Sequence, residues 1–367
     1  MATILNNAVG TGLLLQPNEI FASLYNMIIS EQVFSNNIAG TKSSLVDRAR
    51  VDGGLYGDTK MYVATDVLAS FPWEGDAEAA NLLELNRPAD PEVQLITLDV
   101  FRQIRLTVDN YLTKRAWGTE NAFSQFNSVL LSWIGGTKKV YDATLYNSYI
   151  GTAVSPEAGQ NITVALPAEP TSGSEADDEA YARIEAQTIA KTIADLLVNL
   201  EDVSREYNDY GNLRSFDSDD LIFVWNSEWV NRINKLDLPT IFNKEGLMDK
   251  FAEYTLPARY FGVVEGEVEG DGATKRSAVE TTVGGKHIFP GDIIPEGETV
   301  QGYTEDANII CKVMHKDSVP YMSAFEVGTS FFNPRSLTEN HYLTFGHNTL
   351  QYLKNYPFIT IKAQKAE

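Results

Sequence analysis

The residues of this chain that could carry chemistry are few and widely spaced. There are four histidines, His287, His315, His341 and His347, and one cysteine, Cys311. Metal ligation from a helix needs histidines three or four apart, as in H-E-x-x-H, whereas His341 and His347 stand six apart. A single cysteine excludes an intrachain disulfide and any zinc site built from cysteines. Gly284-Gly285-Lys286 lacks the G-x-x-x-x-G-K spacing that cradles a phosphate, and Gly10-Thr11-Gly12 lacks the third glycine of a dinucleotide turn. Two acidic clusters could in principle attract a cation. Glu175, Asp177, Asp178 and Glu179 lack ligand spacing and read as helix-dipole acids. Asp217-Ser218-Asp219-Asp220 reads as a turn. No catalytic, cofactor-binding or metal-binding residue is therefore expected.

The charge balance narrows the partners. Fifty acidic against 29 basic residues give a formal net charge of -21. A chain so acidic repels nucleic acid and anionic lipid at long range, which argues against sequence-specific nucleic-acid binding. No run of about 18 apolar residues is present to span a bilayer, and the start Met1-Ala-Thr-Ile-Leu has no basic region of a secretory signal. Synthesis in the cytoplasm is the expectation. With 43% apolar and 11% aromatic residues the chain can build a real core, and its length suits two or three domains.

The elements that must organise the chain are clearer than any reactive group. Phe123, Phe126, Leu130, Trp133, Thr137, Val140 and Thr144 recur at steps of three and four, the spacing of one helix face. Gly135-Gly136 interrupts this run without breaking its register. The expectation is one long helix over Asn121–Tyr149, with a possible kink. Before it, Pro17-Asn18-Glu19 starts a short amphipathic helix carrying Ile20, Leu24, Met27 and Ile28, able to pack on its own domain or on a neighbour. Strands are expected over Lys60–Leu68 and Glu92–Val108, joined through Phe71-Pro72-Trp73 and Arg87-Pro88 as an extended hairpin. A bare hairpin is marginal in water, so a long one implies a partner. Phe71 and Trp73 are either anchors for that partner or caps of a local core.

After the helix, Ile162, Val164 and Leu166 alternate as one strand. Ile189, Ile193, Leu196, Leu197, Leu200 and Val203 make the strongest helical stripe. Leu221–Trp225, five apolar residues in a row, suit a strand buried on both faces, followed by a helix capped by Ser227 and stopped at Pro239. Glycine-rich short strands over 258–300 include a surface flap. Further strands follow at Ile309–His315, Phe325–Phe332, Leu343–Phe345 and Phe358–Lys362, the last packing beside the long helix.

This order of elements resembles the major capsid protein of tailed bacteriophages, with its Hong Kong 97-type fold. The stretch Leu221-Ile-Phe-Val-Trp-Asn-Ser-Glu-Trp-Val-Asn-Arg-Ile is similar to the strand and helix of that family's axial domain. Phe332-Asn-Pro-Arg-Ser-Leu-Thr-Glu-Asn-His-Tyr resembles the segment leading back to its peripheral domain. The resemblance implies an α+β chain divided into an N-terminal arm (1–45), an extended β-hairpin loop (46–112), a spine helix of the peripheral domain (113–154), an axial domain (155–327) and a return to the peripheral domain (328–367). It implies no enzyme and no cofactor. It implies self-assembly into hexamers and pentamers of an icosahedral shell, assembled in the host cytoplasm and residing in the virion. Packaged DNA would be enclosed non-specifically, with scaffold, portal or decoration proteins as further partners and no membrane. Ile20, Leu24, Phe71, Trp73 and Arg87 become candidates for contacts between subunits. The competing readings are an encapsulin-type compartment, a tail or sheath component forming tubes, and an α+β enzyme with an unrecognised site.

Overall fold

The structure, a computed structural model, describes residues 44–52, 57–73, 85, 87–109, 120–168, 170, 175–234 and 254–365. The helix expected after Pro17, with Ile20 and Leu24, and the stop at Pro239 lie outside the described residues.

The long helix is continuous. Helix α2, after a short α1 at Ser44–Arg48, runs over Glu120–Thr152, 33 residues, straight through Gly135-Gly136. At about 1.5 Å per residue it spans about 50 Å. Its buried face is rotated by one residue from the expected stripe. Ile134, Lys138 and Tyr141 are buried, while Trp133, Thr137 and Val140 are only half-buried. From Tyr141 onward burial extends around the helix, through Asp142, Ala143, Thr144, Tyr146, Asn147, Ser148 and Ile150. Polar side chains survive there by bonding within the helix. The Thr144 and Thr152 hydroxyls donate to the carbonyls of Val140 and Ser148, each at 2.8 Å.

Two five-stranded sheets flank this helix. The first has the order β1 (Arg50–Asp52), β13 (Tyr321–Asn333), β14 (Thr338–Asn348), β3 (Glu92–Asp109), β2 (Thr59–Ala64). The expected long hairpin is thus shorter than its strands suggested. β2 ends at Ala64, short of Leu68, and pairs only with Glu92–Thr97 of the 18-residue β3. The remainder of β3, from Leu98 to Asp109, pairs with β14 from the far end of the chain. β13 is one strand, so the division expected at 327/328 falls inside it.

The second sheet has the order β4 (Asn161–Leu166), β15 (Phe358–Lys365), β12 (Ile309–His315), β5 (Leu221–Asn226), β6 (Tyr254–Leu256). Helix α3 (Glu175–Glu201) covers one face and the C-terminal end of α2 the other. Side chains alternate between the two cores: Leu221, Phe223 and Trp225 join Ile189, Ile193 and Leu200 of α3, whereas Ile222 and Val224 join Tyr146 and Ile150 of α2. This is the period of two expected of a strand buried on both faces. Val203 lies past the end of α3 and is exposed, because the stripe stops with the helix. Helix α4 (Ser227–Asn234) is capped by Asn226, not Ser227: Asn226 Oδ1 accepts the Glu228 N–H at 3.1 Å. The glycine-rich region forms a three-stranded sheet of β7 (Gly262–Glu269), β11 (Thr299–Glu305) and β8 (Lys275–Ser277), with a two-stranded flap of β9 (Thr281–Val283) and β10 (Lys286–Ile288).

Candidate functional site

The groups capable of chemistry are placed as structural ties. His347 is buried; its Nδ1–H donates to the Asn348 carbonyl at 2.8 Å, so Nε2 accepts the Tyr141 hydroxyl at 2.7 Å. Burial holds its pKa below the ordinary histidine value. His315 stacks on Tyr356 with ring centroids 4.4 Å apart, and His287 bonds Glu280 at 2.8 Å. Asp217 accepts the Asp219 N–H at 3.0 Å and closes a turn. Cys311 is fully buried, and that burial pushes its thiol pKa up. Among the described residues no three His, Cys, Asp or Glu side chains are grouped to hold a metal.

A buried polar cluster lies where β1 meets the long helix. Asp142 of α2 is 1% exposed and accepts from three donors: the Tyr321 hydroxyl at 2.7 Å, Lys138 Nζ at 2.9 Å and an Arg50 guanidinium nitrogen at 3.0 Å. Arg50 lies on β1 and Tyr321 on β13, so one carboxylate joins three distant stretches of chain. Burial of Arg50 acts to lower its pKa, but the bonds to Asp47 and Asp142 outweigh it and hold the guanidinium above its ordinary value. A buried carboxylate is tolerable only when its lone pairs are satisfied in this way. Sequence alone does not reveal it, since a Lys and an Asp four apart on a helix are ordinarily a solvent-exposed pair.

The surface with the strongest functional signature is the β2–β3 hairpin. Its cross-strand pairs Met61–Leu95 and Val63–Val93 project from one face into solvent, with Met61 64% exposed. The apolar run continues through Val67, Leu68, Phe71 and Trp73, the last 90% exposed. Arg87, on the return toward β3, is also exposed. Phe71 and Trp73 therefore cap no local core among the described residues. Met61, Val93 and Leu95 were not singled out from sequence. Local pattern does not say which face of such a strand meets water. Scattered exposed apolar residues are ordinary; paired ones side by side on one sheet face, as Met61–Leu95 and Val63–Val93 are, stand out from them.

The strip departs from a clasped root. Asp66 accepts the N–H groups of Leu213 at 2.9 Å and Val67 at 2.8 Å, and pairs with Arg205 at 2.6 Å. Arg214 donates to the Thr65 carbonyl at 2.6 Å. Led by the Leu213 N–H, these bonds draw the Asp66 carboxyl down to about 2.

A long helix buried at its C-terminal half between two sheets, with an exposed apolar strip on the β2–β3 pair and no metal cluster among the described residues, fits a shell subunit. Solved phage structures share the fold. One is similar over 86% of this chain and 83% of its own, at 11% identity and a TM-score of 0.56, in the capsid of Staphylococcus phage Andhra. Another, from a structure of the head fiber and inner core protein gp22 of native bacteriophage P68, covers 87% of this chain and 84% of its own at 12% identity and a TM-score of 0.58. No curated protein sequence matches significantly. The model of the Phi29-like phage major capsid protein family matches residues 7–362, and the chain belongs to that family. It is thus a structural protein of the virion with the Hong Kong 97-type fold, it associates with copies of itself to form the capsid shell, and it is not an enzyme.

Proposed function

We propose that this chain builds the icosahedral head of a tailed bacteriophage as hexamers and pentamers that assemble in the host cytoplasm and enclose the double-stranded DNA genome. In this reading residues 1–45 are the arm, 46–112 the extended loop, 113–154 the spine, 155–327 the axial domain and 328–367 the return to the peripheral domain. Since β13 is a single strand from Tyr321, the return is better begun there. Subunits grip one another through the hairpin strip, with Phe71, Trp73 and Arg87 on the loop and Ile20 and Leu24 on the arm. The observation that carries this is the exposed apolar strip, whose burial at about 25 cal/mol per Å² is the driving force an assembling surface needs. The net charge of -21 supports a lumen that does not adhere to packaged DNA, because like charge lowers non-specific affinity. Scaffold, portal or decoration proteins are the further partners of such a shell.

The test is deletion of Phe71–Arg87 followed by circular dichroism and electron microscopy. A folded chain that forms no closed shells is expected. Normal shells from the deletion would remove the loop from the assembly contacts, and tubes from the intact chain would replace the head shell with a tail component.

A further inference from the structure

Among the described residues, the sheet β1-β13-β14-β3-β2 has an edge that is not protected. β1 covers only Tyr321–Ser323 of β13. Beyond that point β13 pairs with β14 on its inner side, and among the described residues nothing pairs with its outer side over Val327–Asn333. Every residue from Glu326 to Phe332 is exposed, whichever face it points to, while β14 opposite is half-buried from Thr338 to Thr344. Free edges in proteins are usually guarded by lysine, proline or a bulge within the strand. Here the guards stand only at the ends, a register shift between Ala324 and Val327 and Pro334 after the strand. The seven residues between them, Val-Gly-Thr-Ser-Phe-Phe-Asn, carry no charge.

We propose that two copies of the chain join by antiparallel pairing of these outer edges, Val327–Asn333 against Val327–Asn333, about a two-fold axis at Ser330. This rests on the shell reading and adds a specific contact to it. The segment is self-complementary in that register. Ser330 meets Ser330, small and neutral at the axis. Thr329 meets Phe331, a pairing of the kind that stabilises sheets. Gly328 meets Phe332, and a Cβ at Gly328 would have nothing within 4 Å, so the aromatic ring has room to cover the glycine. At each end Glu326 falls opposite Pro334 and beside Arg335 of the other copy, which places opposite charges together. A closed, two-fold contact of this sort uses one patch twice and leaves no edge free to recruit further strands.

Ser330→Cys in the full-length chain tests it. Directly opposed residues in an antiparallel pair lie about 4.5–5.5 Å apart between Cα atoms, within disulfide range. The native Cys311 is buried and does not compete. Assembled shells oxidised with copper-phenanthroline are expected to run mostly as covalent dimers on a non-reducing gel. Thr329→Cys, displaced from the axis, is expected to remain largely monomeric. Glu326→Arg should lower the S330C dimer yield and adding Arg335→Glu should restore it. Monomeric S330C shells, or T329C crosslinking as well as S330C, would overturn the edge pairing while leaving the shell intact. If S330C chains form no shells, the same oxidation of unassembled S330C chains decides, with dimer supporting and monomer overturning. An unmodified chain that forms no particles by electron microscopy would instead defeat the shell reading itself.

Discussion

The carboxylate of Asp66 accepts the backbone N–H of Leu213 at 2.9 Å, a bond across 147 positions that ties the root of the exposed hairpin to the loop following α3. With the Arg205 pair and the Arg214–Thr65 bond it fixes the point from which the apolar strip departs. The strip is therefore aimed by its own subunit.

Loss of this clasp is expected to free the loop without unfolding the chain. Asp66→Ala should speed proteolytic cleavage between residues 65 and 90 and lower shell yield, with a near-normal thermal midpoint. The pH dependence follows from the direction of the shift. The folded carboxyl titrates near 2, below its ordinary 3.8, so its contribution is complete above about 4 and is lost as the pH falls through about 2. Limited proteolysis with an acid-active protease should find the loop protected at pH 4 and released toward pH 2.

Asp142 should be the costliest single substitution in the long helix. Asp142→Asn leaves Lys138 and Arg50 without their shared carboxylate; among the described residues Lys138 then keeps Glu326 at 3.8 Å and the Phe345 ring, whose centroid is 5.4 Å away. Breaking a buried ion pair from one side costs about 3–5 kcal/mol. Urea denaturation with an unchanged m-value measures it.

Lys312 should behave in the opposite way. It is fully buried on β12, donating to Thr360 Oγ1 and to the Ala153 carbonyl at the end of α2, each at 2.8 Å. Burial, reinforced by Lys362, pushes its pKa down to about 7. Below that value the amine is charged in both states and the burial cost is fully felt. Between about 7 and 10 the unfolded chain binds a proton that the folded chain does not, so stability rises with pH. Lys312→Met should remove this slope and leave stability near pH 6 unchanged or raised by about 1–4 kcal/mol. Thermal melts at pH 6, 7.5 and 9 compare the two.

Two glycines of α2 should respond with opposite signs. A Cβ on Gly151 would stand 2.1 Å from the Tyr260 carbonyl oxygen, so the helix packs there backbone to backbone and Gly151→Ala should cost about 1–3 kcal/mol. Gly135 has nothing within 4 Å of such a Cβ, and Gly135→Ala should stabilise by about 0.5–1 kcal/mol through helix propensity alone. Chemical denaturation of both variants checks the contrast.

Local pattern by itself determined much of this protein. The spacing around Trp133 announced a single long helix, Leu221–Trp225 announced a strand buried on both faces, and Ile309–His315 announced a further strand. Those features follow from periods of 3.6 and 2, which are properties of neighbouring residues. The order of such elements was enough to point to the capsid fold. Tertiary structure alone decided the rest. β3 looked like half of one hairpin but divides its ladder between β2 and β14, because a strand's partner is selected by residues more than two hundred positions away. Lys138 and Asp142, which sequence alone does not single out, form a buried knot, since Arg50 and Tyr321 reach Asp142 only in the folded chain. Either face of the β2–β3 ribbon could have been the inner one, so the outward placement of Met61, Val63, Val93 and Leu95 was decided by the fold. Burial is a relation between surfaces brought together by folding, and no window of consecutive residues contains both of them.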